Sequence, residues 1–238
     1  VPTRSRARET VQITADLAVL TIRQGELRVL VVNRGKEPFK GMYALPGGFM
    51  RPGETLDDTA LRELQEETAI EGGTLGLEQV HVYSTPERDP RGRIVTCSYL
   101  AIAPNLPEPT ADSDAAAASY VNVAGLLDGS VPLAFDHREI LERAVELARA
   151  KLQYTTIATS FCAPEFTISE LREVYETVWG VELDRANFHR KVRESPGFVE
   201  PTGNKRFTSG RPAALYRQGR SRSLDRPLLI PSHDEMEI

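Results

Sequence analysis

The apolar positions change rhythm along this chain, and the rhythm predicts its elements. "VQITADLAVLTI" and "ELRVLVVNRG" are β-rich runs joined by the turn "RQGE". "FKGMYALPGG" reads as a loop leading to a short strand at Gly47 and Gly48. Residues 55–68 switch to helical spacing, and "LEQVHVYSTP" and "RIVTCSYLAIAP" return to strands. "PNLPEPTADSD" is a Pro/Asp-rich connector, and "ASYVNVAGLL" suits a strand running into a short helix.

From Asp136 onward strand alternation disappears. "DHREILERAVELARAKLQ" suits an amphipathic helix behind an Asp cap. "FTISELREVYETVWG" carries a capping-box pair, Thr167 and Glu170, and ends in Gly180. Its stripe is Ile168, Leu171, Val174, Tyr175 and Val178. "DRANFHRKVRES" predicts a third helix with Phe188 and Val192 inward, and "GFVEPTGNKRFTSGRPAALYR" a hairpin with a polar tip. Helix, helix, helix, hairpin is the order of a winged helix-turn-helix. The pattern therefore predicts an α/β domain over 1–136, a winged helix over 137–217 and a flexible tail over 218–238. No internal repeat is present.

Charge sharpens that division. The 238 residues carry a net charge of −5. Residues 1–136 hold 13 Lys/Arg against 19 Asp/Glu, whereas 185–222 hold ten basic residues and two acidic ones. Two domains with different partners are expected. Hydrophobic content of 40% and charged content of 26% are ordinary for a soluble globular chain. No run of eighteen apolar residues exists, so no membrane span is expected, and the basic start "VPTRSRARET" lacks the apolar stretch of a signal peptide. Cys97 and Cys162 are too few for a disulfide framework or a zinc site, and reduced thiols in the cytoplasm are expected.

The acidic chemistry concentrates in "GGFMRPGETLDDTALRELQEETAI". At about 100° per residue, Leu56, Ala60 and Leu64 form an apolar stripe. Glu63 and Glu67 fall at its edge and Glu66 on the flank of Glu63, while Asp58 and Gln65 point away. Carboxylates bordering a packed face are costly unless paired or bound to a cation. Hard oxygen ligands of this kind suit Mg²⁺, which bridges to substrate phosphates. Arg62 is spaced to clamp Glu54. The competing reading is a solvated acidic helix.

This stretch resembles the Nudix box, G-x5-E-x7-R-E-U-x-E-E-x-G-U with U apolar. Gly48, Glu54, Arg62, Glu63, Leu64, Glu66, Glu67 and Ile70 match, and Ala69 replaces the final glycine. The resemblance implies an α/β/α sandwich with a mixed sheet. It also implies metal binding by Glu63, Glu66 and Glu67, with Glu66 and Glu67 catalytic if the site is active. "RDPRG" and "AFDH" resemble segments of ADP-ribose pyrophosphatases. That places Arg62, Arg88, Arg91, Gly47 and Gly48 at a diphosphate ligand, against the alternative that "RDPRG" is only a charged hairpin tip.

On the third helix, Arg190 and Arg193 point outward with Asn187 to one side, residue types that read base edges. Arg185 and Lys191 suit phosphates, and Lys205, Arg206 and Arg211 suit a wing. Taken singly each is more simply a solvated side chain. The whole chain to about residue 217 resembles NrtR-type regulators, through "FTISELREVYETVWGVELDRANFHRKV", "EPTGNKR" and "GRPAALYR". That resemblance implies a homodimer on a palindromic operator of NAD-metabolism genes, released when the Nudix-like domain binds ADP-ribose or a related metabolite. With every box carboxylate kept, the alternative is a Mg²⁺-dependent ADP-ribose pyrophosphatase with an accessory nucleic-acid-binding domain.

Overall fold

In the computed structural model, residues 9–70, 75–104, 106–109, 115–207 and 212–228 are described. A long strand β1 (Gln12–Arg23) is the axis of the first half. From Gln12 to Leu20 it pairs in parallel with β6 (Ile94–Ile102), with Leu17 opposite Tyr99. Its other edge is shared. The first part pairs with β4 (Gly47–Phe49), and the last part pairs with β2 (Glu26–Arg34). β2 also pairs with β3 (Tyr43–Ala44) and β7 (Ala115–Asn122), and β5 (Glu78–Tyr83) lies outside β6. The sheet is mixed.

Both faces of β1 are buried, which explains its near-continuous apolar run. Ala15, Leu17 and Val19 face Ala60 and Leu64 of helix α1 (Leu56–Thr68). Ala18 and Leu20 face Leu126 of the short helix α2 (Val123–Leu127) and Ile140, Leu141, Ala144 and Val145 of α3 (His137–Tyr154). The result is helix, sheet, helix.

Here the structure corrects the expected boundary at 136/137. Helix α3 covers the sheet with most of its apolar stripe, and only its end, at Leu152, joins the second core. Nor does Asp136 cap α3 through its side chain. Arg88 takes that carboxylate instead, through two bonds of 2.7 and 2.6 Å.

The second core gathers Phe166, Leu171, Tyr175, Phe188, Val192 and Phe198. It is built from a 3-10 turn (Ile157–Phe161), α4 (Ile168–Trp179), α5 (Arg185–Glu194) and the hairpin β8 (Val199–Arg206) and β9 (Ala213–Gln218). The Thr167/Glu170 capping box is formed, and Gly180 closes α4 in the left-handed conformation at φ 71°. The turn to α5 is tied by Leu183 N–H donating to Glu176 Oε1 at 2.8 Å. Helix, turn, helix and wing are all present.

The tail departs from expectation up to Leu228. Leu224 and Leu228 are buried in the second core, and their amides donate to the carbonyls of Tyr154 and Gln153 at 2.8 and 3.0 Å. Residues 229–238 lie outside the described residues. Among the described residues no helix is long and apolar enough to cross a membrane.

Candidate functional site

A cavity of about 520 Å³ opens between the β4 strand, α1 and the loops carrying Arg88 and Phe135. Its acidic wall depends on two glycines. A Cβ on Gly47 would meet the Ala15 carbonyl at 2.4 Å and Asp16 Oδ1 at 2.5 Å. One on Gly48 would meet Glu63 Oε1 at 2.3 Å. Bare backbone is therefore what lets β4 lie between β1 and α1. The amide of Gly47 then donates to Glu67 Oε2 at 3.0 Å.

Helix α1 is held in register at both ends. Thr55 and Asp58 form a reciprocal cap at the N-terminus. Ala69 takes the left-handed position at φ 55°, so it does stand in for a C-terminal glycine, at about 1 kcal/mol.

Arg62 organises the carboxylates from behind the cavity. Its Nε donates to Glu54 Oε1 at 2.6 Å, its Nη1 to Glu63 Oε1 at 2.6 Å and Glu66 Oε2 at 3.1 Å, and its Nη2 to the Phe49 carbonyl at 3.0 Å. The Arg62 bond, with the Arg51 amide donating to Glu54 Oε2 at 2.9 Å, holds the Glu54 carboxyl down near 2. Arg62 is thus a clamp and does not line the cavity, contrary to its expected place at the ligand.

The three expected metal ligands separate. Glu63 and Glu67 line the cavity. Glu66 does not; Arg51 and Arg62 draw it outward, at 2.9 and 3.1 Å. Among the described residues no group of three acidic, His or Cys side chains is arranged around one point to hold a cation. The donor chemistry nonetheless fits one. Burial, with Glu63 and Asp16 close by, pushes the Glu67 carboxyl up to about 8. A buried carboxylate kept protonated by acidic neighbours is stabilised in its charged form by a hard divalent ion.

The opposite wall is cationic and aromatic. Arg34 lies 4.6 Å from the Phe135 ring centre, and Arg91 lies 5.2 Å from the same ring and 5.0 Å from Phe49. Phe135 has φ 55°, an unfavourable conformation for a phenylalanine and a common mark of functional sites. Burial, then the nearby Arg91, lower the Arg34 pKa. Arg91 Nη2 donates to Asp89 Oδ2 at 2.6 Å and Arg34 Nε to the Pro38 carbonyl at 2.8 Å, which fixes both guanidiniums beside rings that offer faces for a base or sugar.

Arg88 is on the cavity wall but committed inward. Its side chain is 4% exposed, bonded twice to Asp136 and 3.7 Å from Asp16. His137, also on the wall, accepts the Leu45 amide at Nδ1 at 2.9 Å and points Nε2 toward Asp16 at 3.8 Å. Its burial lowers its pKa. Sequence reasoning did not single out Asp16, Arg34, Phe49, Phe135 or His137 as individual site residues. Only "AFDH", which contains Phe135 and His137, carried a signal.

On α5, Arg185, Asn187, Arg190 and Arg193 are exposed and Lys191 is half-buried. Arg190 donates to Asn187 Oδ1 at 2.9 Å and Glu194 Oε2 at 2.7 Å, which holds two base-reading side chain types side by side. Lys205 is exposed on the wing. Arg206 is instead tied to Glu170 and to the Glu165 carbonyl, so it fastens the wing to α4. Arg211 lies outside the described residues.

A glycine strand against a carboxylate helix, inside a helix–sheet–helix layer and followed by a winged helix, defines a Nudix-domain protein with a nucleic-acid-binding module. The NUDIX domain matches residues 13–144, and the NrtR DNA-binding winged helix domain matches 159–218. An ADPR responsive transcriptional repressor, NtrR, of Acinetobacter baylyi is 34% identical over 228 residues, covering 94% of this chain and 89% of the relative. Shewanella oneidensis NrtR in complex with a 27mer DNA superposes with a TM-score of 0.69 at 30% identity, covering 90% of this chain and 99% of that one. The NUDIX domain of Shewanella oneidensis NrtR complexed with ADP ribose gives 0.55 at 32% identity, covering 61% and 94%. The chain belongs to the NrtR family of Nudix-domain proteins.

Proposed function

We propose that this chain is a transcriptional repressor that binds operator DNA through α5 and the wing and is released by ADP-ribose in the Nudix cavity. The observation that carries this reading is the pairing of two sites in one fold. A cavity that sets Arg34 and Arg91 beside the rings of Phe49 and Phe135 suits a nucleoside diphosphate sugar. An exposed Asn187–Arg190 pair on a helix-turn-helix suits the major groove. Matches to relatives that bind ADP-ribose and DNA support both. NAD-metabolism genes as the targets, and a homodimer on a palindrome, belong to the same proposal.

Helix α3 joins the two sites. Its first residue, His137, lines the cavity. Near its other end Arg149 donates to the carbonyl of Val178 at 3.1 Å, at the end of α4. The β1–β2 hairpin makes a second contact, with Ile22 and Leu27 packed on the winged-helix core. A phosphate that draws Arg88 away from Asp136 acts at the start of this rod. In this reading, that movement is how ligand binding alters the presentation of α5.

One incubation tests the proposal. Protein, Mg²⁺, ADP-ribose and promoter DNA from NAD-metabolism genes are mixed, and DNA binding and AMP release are followed together. Loss of DNA binding without AMP is the expected result. Rapid AMP release with no specific DNA binding would instead support a pyrophosphatase, the reading favoured by the full set of box carboxylates. There Mg²⁺ would be held by Glu63 and Glu67, with Glu66 joining if released by Arg51.

The Arg190→Ala variant is expected to bind operator about 5- to 150-fold more weakly, a loss of about 1–3 kcal/mol. Its ADP-ribose affinity should stay at the wild-type level. Equal operator affinity in a folded variant would remove α5 from the DNA surface.

A further inference from the structure

We propose that the segment Gly219–Leu228 is a built-in phosphate grip that extends the DNA-contacting surface beyond the recognition helix and wing. The proposal rests on the repressor reading and adds a third element to its DNA surface. Both the winged-helix match and the sequence analysis stop near residue 218.

The segment is fastened along its length. Gly219 N–H donates to the Phe198 carbonyl at 2.9 Å, and Ser221 N–H to the Gly197 carbonyl at 3.0 Å. Side chains are excluded where it enters. A Cβ on Gly219 would meet the Gly197 carbonyl at 2.0 Å, and one on Gly197 would meet Ser221 Oγ at 2.4 Å. Further along, Leu224 and Leu228 are 8% and 1% exposed. Its backbone is thus ordered before any partner arrives, so little ordering entropy is lost on binding.

Its polar side chains point the other way. Arg220, Arg222 and Arg226 are exposed, with Asp225 the only acid between Gly219 and Leu228. Arg220 reaches Glu200 at 3.5 Å. Among the described residues Arg222 and Arg226 have no side-chain partner. Anchoring needs the two leucines and the glycine, and none of these arginines.

Position supplies the partner. Arg226, Ser221 and Ser223 line one groove with Arg190 and Lys191 of α5 and the acids Glu194 and Asp225, and Arg222 is exposed on the same segment just outside it. A helix whose Arg190 meets a base edge would bring the adjoining backbone to this groove. A duplex presents one negative charge per about 1.7 Å of axis. The guanidiniums therefore suit phosphates and carry no base preference of their own.

The test uses the full chain and a labelled duplex selected from a random pool with the wild-type protein. Affinity is measured across a KCl series for wild type, Arg190→Ala, an Arg222→Gln/Arg226→Gln double variant and the matching double Lys variant. The Gln variant should show a slope of log Kd against log[salt] shallower by about 1–2, because each lost phosphate contact removes about 0.9. The Lys variant should keep the wild-type slope. Base preference, melting temperature and ADP-ribose affinity should match wild type in both. A Gln variant with wild-type slope and affinity, alongside an Arg190→Ala variant that loses binding, would overturn the grip and leave the repressor reading standing. Failure of the wild type to select any duplex would overturn both.

Discussion

Replacing Arg88 by Met is expected to cost about 3–5 kcal/mol of stability and to abolish the response of DNA binding to ADP-ribose. The side chain is 4% exposed and neutralises Asp136, with Asp16 close by. Truncation leaves the buried Asp16 and the part-buried Asp136 without their cation, which is the expensive half of a broken ion pair. At about 2–4 °C per kcal/mol for a chain of this size, melting should fall by roughly 10 °C. A second change, Asp136→Asn, should recover part of that loss because it removes the orphaned charge, while the ligand response stays absent. The two readouts separate the roles. A variant that melts like wild type would mean the pair is energetically idle. One that melts early but still releases DNA with ADP-ribose would remove Arg88 from the transmission.

The weight placed on Arg88 follows from topology. Its strand-end loop and the start of α3 are 48 residues apart in sequence. The ion pair fixes one end of α3 at the cavity, and Arg149 fixes the other to the last carbonyls of α4. A helix packed along the sheet through Ile140, Ala144 and Ala148 moves as a rod, because its core contacts resist local bending. Small displacements at His137 therefore have a route to the helix-turn-helix. The contact between Thr177 Oγ1 and the Gly25 carbonyl, at 3.4 Å, closes a second path through the hairpin.

What was readable in the sequence, and what was not, follows the same logic. The strands, α1 and the helix-turn-helix rest on local spacing and capping chemistry, and Thr167, Glu170 and Gly180 form the caps their identities implied. The apolar stripe of α3 also announced a helix. A stripe does not name the surface it covers, so α3 was assigned to the second domain although it lies on the first. In the tail, Leu224 and Leu228 stand among Arg, Ser and Pro with no period to mark them as anchors. Within the site, Gly48 and Glu63 were visible because a short motif fixes their spacing. Arg34 and Phe135 meet only when β2 and the loop before α3 are brought together, a juxtaposition that neither local stretch encodes. Helix phase puts Glu66 on the flank of Glu63, and the box resemblance counts it among the metal ligands. Its contact with Arg51, 15 residues away, is what turns it outward.

Glu67 should make the metal-free protein less stable as pH rises. Its carboxyl is pushed from about 4.5 in the open chain to about 8 in the fold. Below about 4.5 both states hold the proton and the group has no effect. Between about 4.5 and 8 the unfolded chain ionises while the folded chain still binds the proton, so stability falls steadily with pH. Above about 8 both are ionised and the loss levels off, at about 4–5 kcal/mol. Glu67→Gln keeps the neutral form at every pH and should flatten this profile, leaving the variant the more stable of the two in mildly alkaline buffer. Mg²⁺ should reverse the preference, because a divalent ion held by Glu63 and Glu67 favours the charged carboxylate. Binding at pH 7 should then release up to about one proton per ion, and Mg²⁺ affinity should rise with pH up to about 8. Calorimetry in two buffers of different ionisation enthalpy measures the proton directly. Mg²⁺ binding with no proton released would place the ion away from Glu67. A pH profile of stability that stays the same in Glu67→Gln would mean that some other group sets it.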